Sequence, residues 1–150
     1  MKGDASVILT PLTWWRLGVA LVVILAFALA AGGHMPARAA DNPAAAYPNE
    51  NPLSGDEDSI KEGARLYFKW CVACHGPDAD GTNTRFGSYG ADLTNFWRGY
   101  PQFVVIVLNG TEGRIGMMPP WGGVLDEDQI SQIGAFLETK ATAKARWVGY

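Results

Sequence analysis

A mainly helical domain with long loops is what this 150-residue chain predicts. Three observations carry that expectation. Two apolar-periodic runs, near residues 59–71 and 126–140, each begin at a side chain suited to cap a helix N-terminus. The stretch between the first run and residue 100 is dense in Gly, Asn, Thr and Asp, a composition of loops rather than strands. Both cysteines lie in one short sequence, WCVACHG at residues 70–76, where the first run ends.

Fold material begins after residue 39. Lys2 and Arg16 precede a 15-residue uncharged apolar run, Leu17 to Ala31, and a Gly-Gly break leads to Ala37-Arg38-Ala39. That order is the n-region, h-region and small-x-small site of a secretory signal peptide, predicted over residues 1–39. A membrane-spanning helix normally needs about 20 apolar residues, so a membrane anchor is expected only if the segment stays uncleaved. Removing residues 1–39 takes three of the 12 Lys and Arg and one of the 15 Asp and Glu, leaving a net charge of −5. An acidic exported surface excludes nucleic acid as a partner and attracts a basic patch. The mature chain keeps one histidine, His75, and two methionines, Met117 and Met118.

The elements follow in order. Residues 40–57, ADNPAAAYPNENPLSGDE, lack any apolar period and are expected to form a flexible leader. Ser59 with Glu62 three residues later is a capping-box pattern, and Ile60, Gly63, Ala64, Tyr67, Phe68 and Cys71 form the apolar face of a helix that ends at Gly76-Pro77. The following loop is long enough to require something else to organise it. PQFVVIVLNG, residues 101–110, is evenly divided: its β-branched run suggests a buried strand, whereas Pro101 suits a helix N1 position and Asn109-Gly110 a helix end. Asp126 caps the last helix, with Ile130, Ile133, Gly134 and Leu137 on one face. Residues 141–150 are a basic tail with two aromatics.

Four chemistries use two close thiols. A disulfide across so short a loop constrains almost nothing, and a thioredoxin-like dithiol opens a helix in a βαβ unit, whereas this pair closes one. Zinc needs four ligands, and Cys71, Cys74 and His75 offer three. Cys-x-x-Cys-His in an exported chain instead fits covalent haem: each thiol adds to a vinyl group and the histidine reaches the iron. The macrocycle then serves as the core on which the loops pack. With His34 removed, the sixth ligand falls to Met117 or Met118 in GMMPPWGG, and a thioether raises the haem potential, which suits electron transfer. A methionine pair is also ordinary core filler, but a Gly- and Pro-bounded loop is poor core material. Met118 is favoured because Pro119-Pro120 can fix the loop that presents its sulfur.

These residues resemble the class I c-type cytochromes: Gly63 and Tyr67 on a helix leading into Cys71-Val72-Ala73-Cys74-His75, Met118-Pro119, and a closing helix with IGAFLET. The resemblance spans residues 58–140, taken as the cytochrome domain. It implies the all-α class I cytochrome c fold, three to four helices and loops wrapped round one covalent haem c, with the first and last helices crossing at Gly63 and Phe136, and residues 101–109 helical. GARLYFKWCVACHGPDADG, ADLTNFWRGYPQFVVIVLNG and MPPWGGVLDEDQISQIGAFLET are similar to the small periplasmic cytochromes that accept electrons from PQQ-dependent alcohol dehydrogenases. Many class I members place a proline after the haem motif whose carbonyl orients the histidine, yet no proline occurs between Pro77 and Pro101, so the acceptor for the His75 Nδ1 proton is left open.

The chain is therefore expected to be a periplasmic one-electron carrier and not an enzyme. Cys71 and Cys74 hold the haem, His75 and Met118 bind the iron, Trp121 lies at a haem edge, and Arg98, or Arg85, neutralises a propionate. The expected donor is a PQQ-dependent alcohol dehydrogenase, and the acceptor a terminal oxidase or another cytochrome. Two rival expectations are a haem c subunit of a larger respiratory complex and a haem domain that opens its sixth position as a sensor or peroxidase.

Overall fold

The computed structural model describes residues 42–85, 87, 90–113 and 116–149; the predicted signal segment lies outside them. Helix α1 spans Glu57–Trp70 and α2 spans Val72–His75. They are followed by α3, Tyr100–Asn109, and a two-residue antiparallel pair, β1 Thr111–Glu112 with β2 Met117–Met118. Helix α4, Glu127–Thr139, comes last. The all-α expectation holds, with this small ladder and an isolated bridge between Arg85 and Gly87 as additions among the described residues.

Helix α1 begins earlier than predicted. Its N-cap is Asp56, whose carboxylate accepts from the Ser59 N–H at 2.8 Å, with Glu57 and Asp58 filling the first turn against the positive end of the helix dipole. Ser59 is therefore an N3 residue and largely buried, not the cap. Nor is the run to His75 one helix: Cys71 is the C-cap of α1, and a further single turn ends at Gly76 with φ +78°. For α4 the reading from sequence stands, since Asp126 and Gln129 form a reciprocal capping box.

The core is the crossing of α1 and α4. A methyl group on Gly63 would lie 1.9 Å from the Gln132 carbonyl oxygen, so only glycine lets the two backbones approach this closely. Phe136 packs one turn along, its ring 5.3 Å from Tyr67 and 6.3 Å from Phe68. Leu66, Tyr67, Ile130, Ile133 and Leu137 are almost wholly buried around this contact, each large aliphatic side chain contributing about 1.5–3 kcal/mol. The undecided segment is helix α3. Pro101 stands in its first turn, Gly110 caps it at φ +72°, and its β-branched residues serve burial rather than a ladder. Tertiary packing outweighs strand propensity there.

One expectation is corrected. Residues 42–56, predicted as a flexible leader, are packed onto α4: the buried Asn51 side chain donates to the Ser131 carbonyl at 2.9 Å, the Tyr47 hydroxyl to Glu127 at 3.2 Å, and the Ser54 hydroxyl to Glu138. Polar anchors do this work, which apolar periodicity does not reveal. The basic tail, residues 141–149, runs beside residues 94–100, with Tyr100 N–H on the Trp147 carbonyl at 2.6 Å and Arg146 N–H on the Phe96 carbonyl at 2.7 Å.

Candidate haem site

The cysteine pair occupies a single turn. Cys74 N–H bonds the Cys71 carbonyl at 3.1 Å and His75 N–H bonds the same oxygen at 3.0 Å, which fixes both sulfurs and the imidazole on one short, rigid unit. Cys71 is partly buried; burial first, then the neighbouring Cys74, pushes its thiol up to about 12.

The described residues between 76 and 99 are organised by backbone bonds, two of them to this unit. Gly81 N–H reaches the His75 carbonyl at 2.9 Å, Arg85 N–H the Ala73 carbonyl at 3.1 Å, and Leu93 N–H the Ala79 carbonyl at 2.7 Å. The buried Tyr67 hydroxyl donates to the Gly76 carbonyl at 2.6 Å, tying α1 to the turn after His75. This loop also supplies the missing acceptor: His75 Nδ1 lies 2.9 Å from the Ala91 carbonyl oxygen. A carbonyl only accepts, so the proton is on Nδ1 and the lone pair on Nε2. Burial holds the imidazole below its ordinary range, an effect the Ala91 carbonyl partly offsets. Histidine is thereby kept neutral and its ring orientation fixed.

Gly90 makes this approach possible. A methyl group there would lie 2.1 Å from the Cys74 carbonyl oxygen and 2.9 Å from His75 Nδ1. Neither Gly90 nor Ala91 stood out from sequence, because a glycine in a Gly-rich loop and a backbone carbonyl carry no distinguishing pattern. The proline whose absence left the acceptor open is replaced by a glycine that brings the next carbonyl to the ring.

Across from this unit, the methionine segment closes the site. Thr111 pairs with Met118 and Glu112 with Met117. Successive residues of a strand point to opposite faces, and the two methionines divide accordingly: Met117 is 74% exposed, whereas Met118 packs against the core. The segment is anchored on the end of α3, where Trp121 N–H and Gly122 N–H bond the Val107 and Leu108 carbonyls at 2.9 and 3.1 Å. These are helix-terminal acceptors that need partners from outside the helix. Trp121 packs against Trp70 with ring centroids 5.7 Å apart.

Between the two walls lies an open cleft with an almost wholly apolar lining. Cys71, His75, Met118 and Trp121 line it together with Tyr67, Leu93, Phe96, Phe103, Ile106, Val107, Leu125, Ile133 and Leu137. One thiol, a neutral imidazole and a thioether in an apolar cavity form a donor set that fits a covalent haem. Cys74 is exposed and outside the lining. Arg98 is also exposed and outside it, its guanidinium 5.0 Å from the centre of the Trp97 ring.

Residues 58–137, more than half of the chain, match the family described as Cytochrome C oxidase, cbb3-type, subunit III. The Cbb3-type cytochrome c oxidase subunit CcoP of Azospirillum brasilense is 29% identical over 96 residues, 63% of this chain and 32% of that protein. Subunit FixP of Azorhizobium caulinodans is 34% identical over 86 residues, 57% of this chain and 28% of that protein. The chain spans about a third of the length of the curated relatives it matches. Among solved structures, cytochrome CL from the marine methylotrophic bacterium Methylophaga aminisulfidivorans aligns at 24% identity and a TM-score of 0.49, covering 60% of this chain and 58% of that one.

Proposed function

The chain belongs to the Cytochrome C oxidase, cbb3-type, subunit III family, which makes it a haem c electron-transfer protein with the class I cytochrome fold, and on that premise we propose how its residues serve the haem. Cys71 and Cys74 would hold the haem through thioether bonds, and His75 Nε2 and the Met118 sulfur would bind its iron. One observation carries this reading: Cys71, His75 and Met118 line the same apolar cavity, and Met117 does not. The bound haem supplies a one-electron ferrous–ferric couple. His75, its Nδ1 proton held by Ala91, keeps an oriented lone pair in either state. Met118 as a thioether raises the potential. The apolar wall excludes water, and ligands fixed at both ends keep rearrangement small. Trp121, in the cavity lining, would border the haem, and Arg98, outside the lining, would neutralise a propionate.

Residues 1–39 act as a secretory signal and the mature protein works in the periplasm, with residues 58–140 as the haem domain. Among the described residues no helix is long and apolar enough to cross a membrane. The protein carries electrons and makes or breaks no bond of a substrate. Its donor is a PQQ-dependent alcohol dehydrogenase, a reading supported by the sequence resemblance, and its acceptor a terminal oxidase or another cytochrome. An acidic mature surface would meet a basic rim on the donor, so encounter should slow as salt shortens steering to about 8 Å at physiological ionic strength. A second reading, a subunit held in a larger respiratory complex, is favoured by the oxidase-subunit names of the relatives. Stopped-flow reduction of the ferric protein by a substrate-reduced quinoprotein alcohol dehydrogenase, over a salt series, separates the two. Fast, saturable, salt-sensitive reduction supports the dehydrogenase. Slow reduction, with co-purification of the protein in an oxidase, would replace it by the second reading.

A further inference from the structure

The C-terminal segment, residues 141–149, lies beyond the family match, which ends at residue 137, yet it is bonded to the wall of the cavity. Thr142 N–H reaches the Thr94 carbonyl at 2.9 Å, Arg146 N–H the Phe96 carbonyl at 2.7 Å, and Gly99 N–H the Arg146 carbonyl at 3.0 Å. Gly149 N–H continues to the Asn49 carbonyl at 2.6 Å. A methyl group on Gly99 would lie 2.7 Å from the Gly149 Cα, so the two segments touch backbone to backbone. Within this strap the Trp147 ring lies 5.1 Å from Phe96 and 5.2 Å from Phe103, and those two rings lie 5.9 Å from each other. Phe96 and Phe103 both line the cavity; Trp147 does not.

We propose that Trp147 is a positioning residue of the haem site, the backing that holds Phe96 and Phe103 in the cavity wall and keeps water from reaching the haem behind them. The proposal rests on the reading that this cavity holds the haem between His75 and Met118. Phe103 is anchored by α3, but Phe96 sits in a loop without helix or strand. Its place depends on the strap and on the ring behind it. The indole serves through its apolar bulk: Nε1 is buried and has no hydrogen-bond partner among the described residues. Phenylalanine would keep the ring and remove a donor that nothing accepts.

The redox consequence follows from charge. The ferric haem carries one more positive charge than the ferrous, and a dry apolar wall disfavours the more charged state. Opening the wall to water stabilises ferric haem and lowers the potential.

The test is redox titration of the full-length holoprotein against Trp147→Ala, Trp147→Phe and, as a control on the same loop, Trp97→Ala. Trp97 is 57% exposed and does not line the cavity. For Trp147→Ala the ferrous-to-ferric ratio at fixed potential should fall about tenfold, equivalent to about 59 mV for one electron. Trp147→Phe and Trp97→Ala should stay within about threefold of wild type, on the order of half that shift. If Trp147→Ala yields no holoprotein, Trp147→Leu is measured by the same criterion. A ratio within threefold for the Ala or Leu variant, or an equal fall in the Phe or Trp97 variant, overturns the role of Trp147. Failure of the underlying reading looks different: wild-type protein would lack the ferric sulfur-to-iron charge-transfer band, whatever the variants do.

Discussion

Gly90→Ala places one methyl group against the haem-binding turn. The ideal Cβ would lie 2.1 Å from the Cys74 carbonyl oxygen, 2.6 Å from its carbon and 2.9 Å from His75 Nδ1. Close carbon-to-oxygen approaches stop at about 3.3 Å, so loop and turn must part by about 1.2 Å. Both sides of the clash include backbone, and no rotamer change relieves it. A separation of that size carries the Ala91 carbonyl beyond bonding distance of His75 Nδ1, now 2.9 Å. Overpacking costs about 1–3 kcal/mol and the lost hydrogen bond about 0.5–1.5, so the loss of stability should be about 2–4 kcal/mol. Removing the partner that orients a metal-bound histidine also weakens ligation, typically by about 10- to 100-fold. The assay is guanidinium denaturation of the holoprotein together with carbon monoxide binding to the reduced form. A lower midpoint with an unchanged slope and new carbon monoxide binding are expected. Stability within about 0.5 kcal/mol of wild type, with the haem spectrum unaltered, would refute the claim that Gly90 sets the approach of Ala91.

Other outcomes follow from the same geometry. Met118→Ala should open the iron to carbon monoxide and lower the potential, while Met117→Ala leaves the ferric sulfur-to-iron band in place; the reverse pattern in the optical spectra would make Met117 the ligand. Gly63→Ala forces a methyl group to within 1.9 Å of the Gln132 carbonyl oxygen and should cost about 3 kcal/mol, read as a fall in the denaturation midpoint. Glu138 is held above its ordinary range chiefly by burial, which the Ser54 and Asn51 hydrogen bonds partly offset. A raised carboxyl binds its proton more tightly in the folded state, so its contribution is full below the unfolded value and is lost as pH rises through the folded one. Glu138→Gln should therefore flatten the decline of stability with rising pH just above the usual carboxylate range, as followed by denaturation at a series of pH values.

The parts of the site legible in sequence are those that chemistry fixes by residue type. Cys71, Cys74 and His75 announce themselves by spacing, and Met118 by the scarcity of other thioethers. In the sequence the two following prolines favour Met118; in the structure the alternation of a two-residue strand separates it from Met117. Gly63 was legible because a small residue recurs where helices cross. What escaped notice rests on backbone and on polar anchors. Ala91 acts through its carbonyl, which any residue possesses; Asn51 and Ser54 bind the leader to α4 by single hydrogen bonds that leave no periodicity; Trp147 pairs with a wall formed fifty residues earlier. Helix α3 was undecidable locally because six apolar residues satisfy a buried strand and a buried helix equally.

The central claim, one haem fixed through Cys71 and Cys74 beside His75, is tested most directly by the intact mass of the purified protein under denaturing conditions. The account predicts a single species at the mass of the polypeptide plus one haem, with no thiol left to react with an alkylating reagent. A polypeptide mass without haem, with both cysteines alkylated and the haem recovered by acid-acetone extraction, would contradict it.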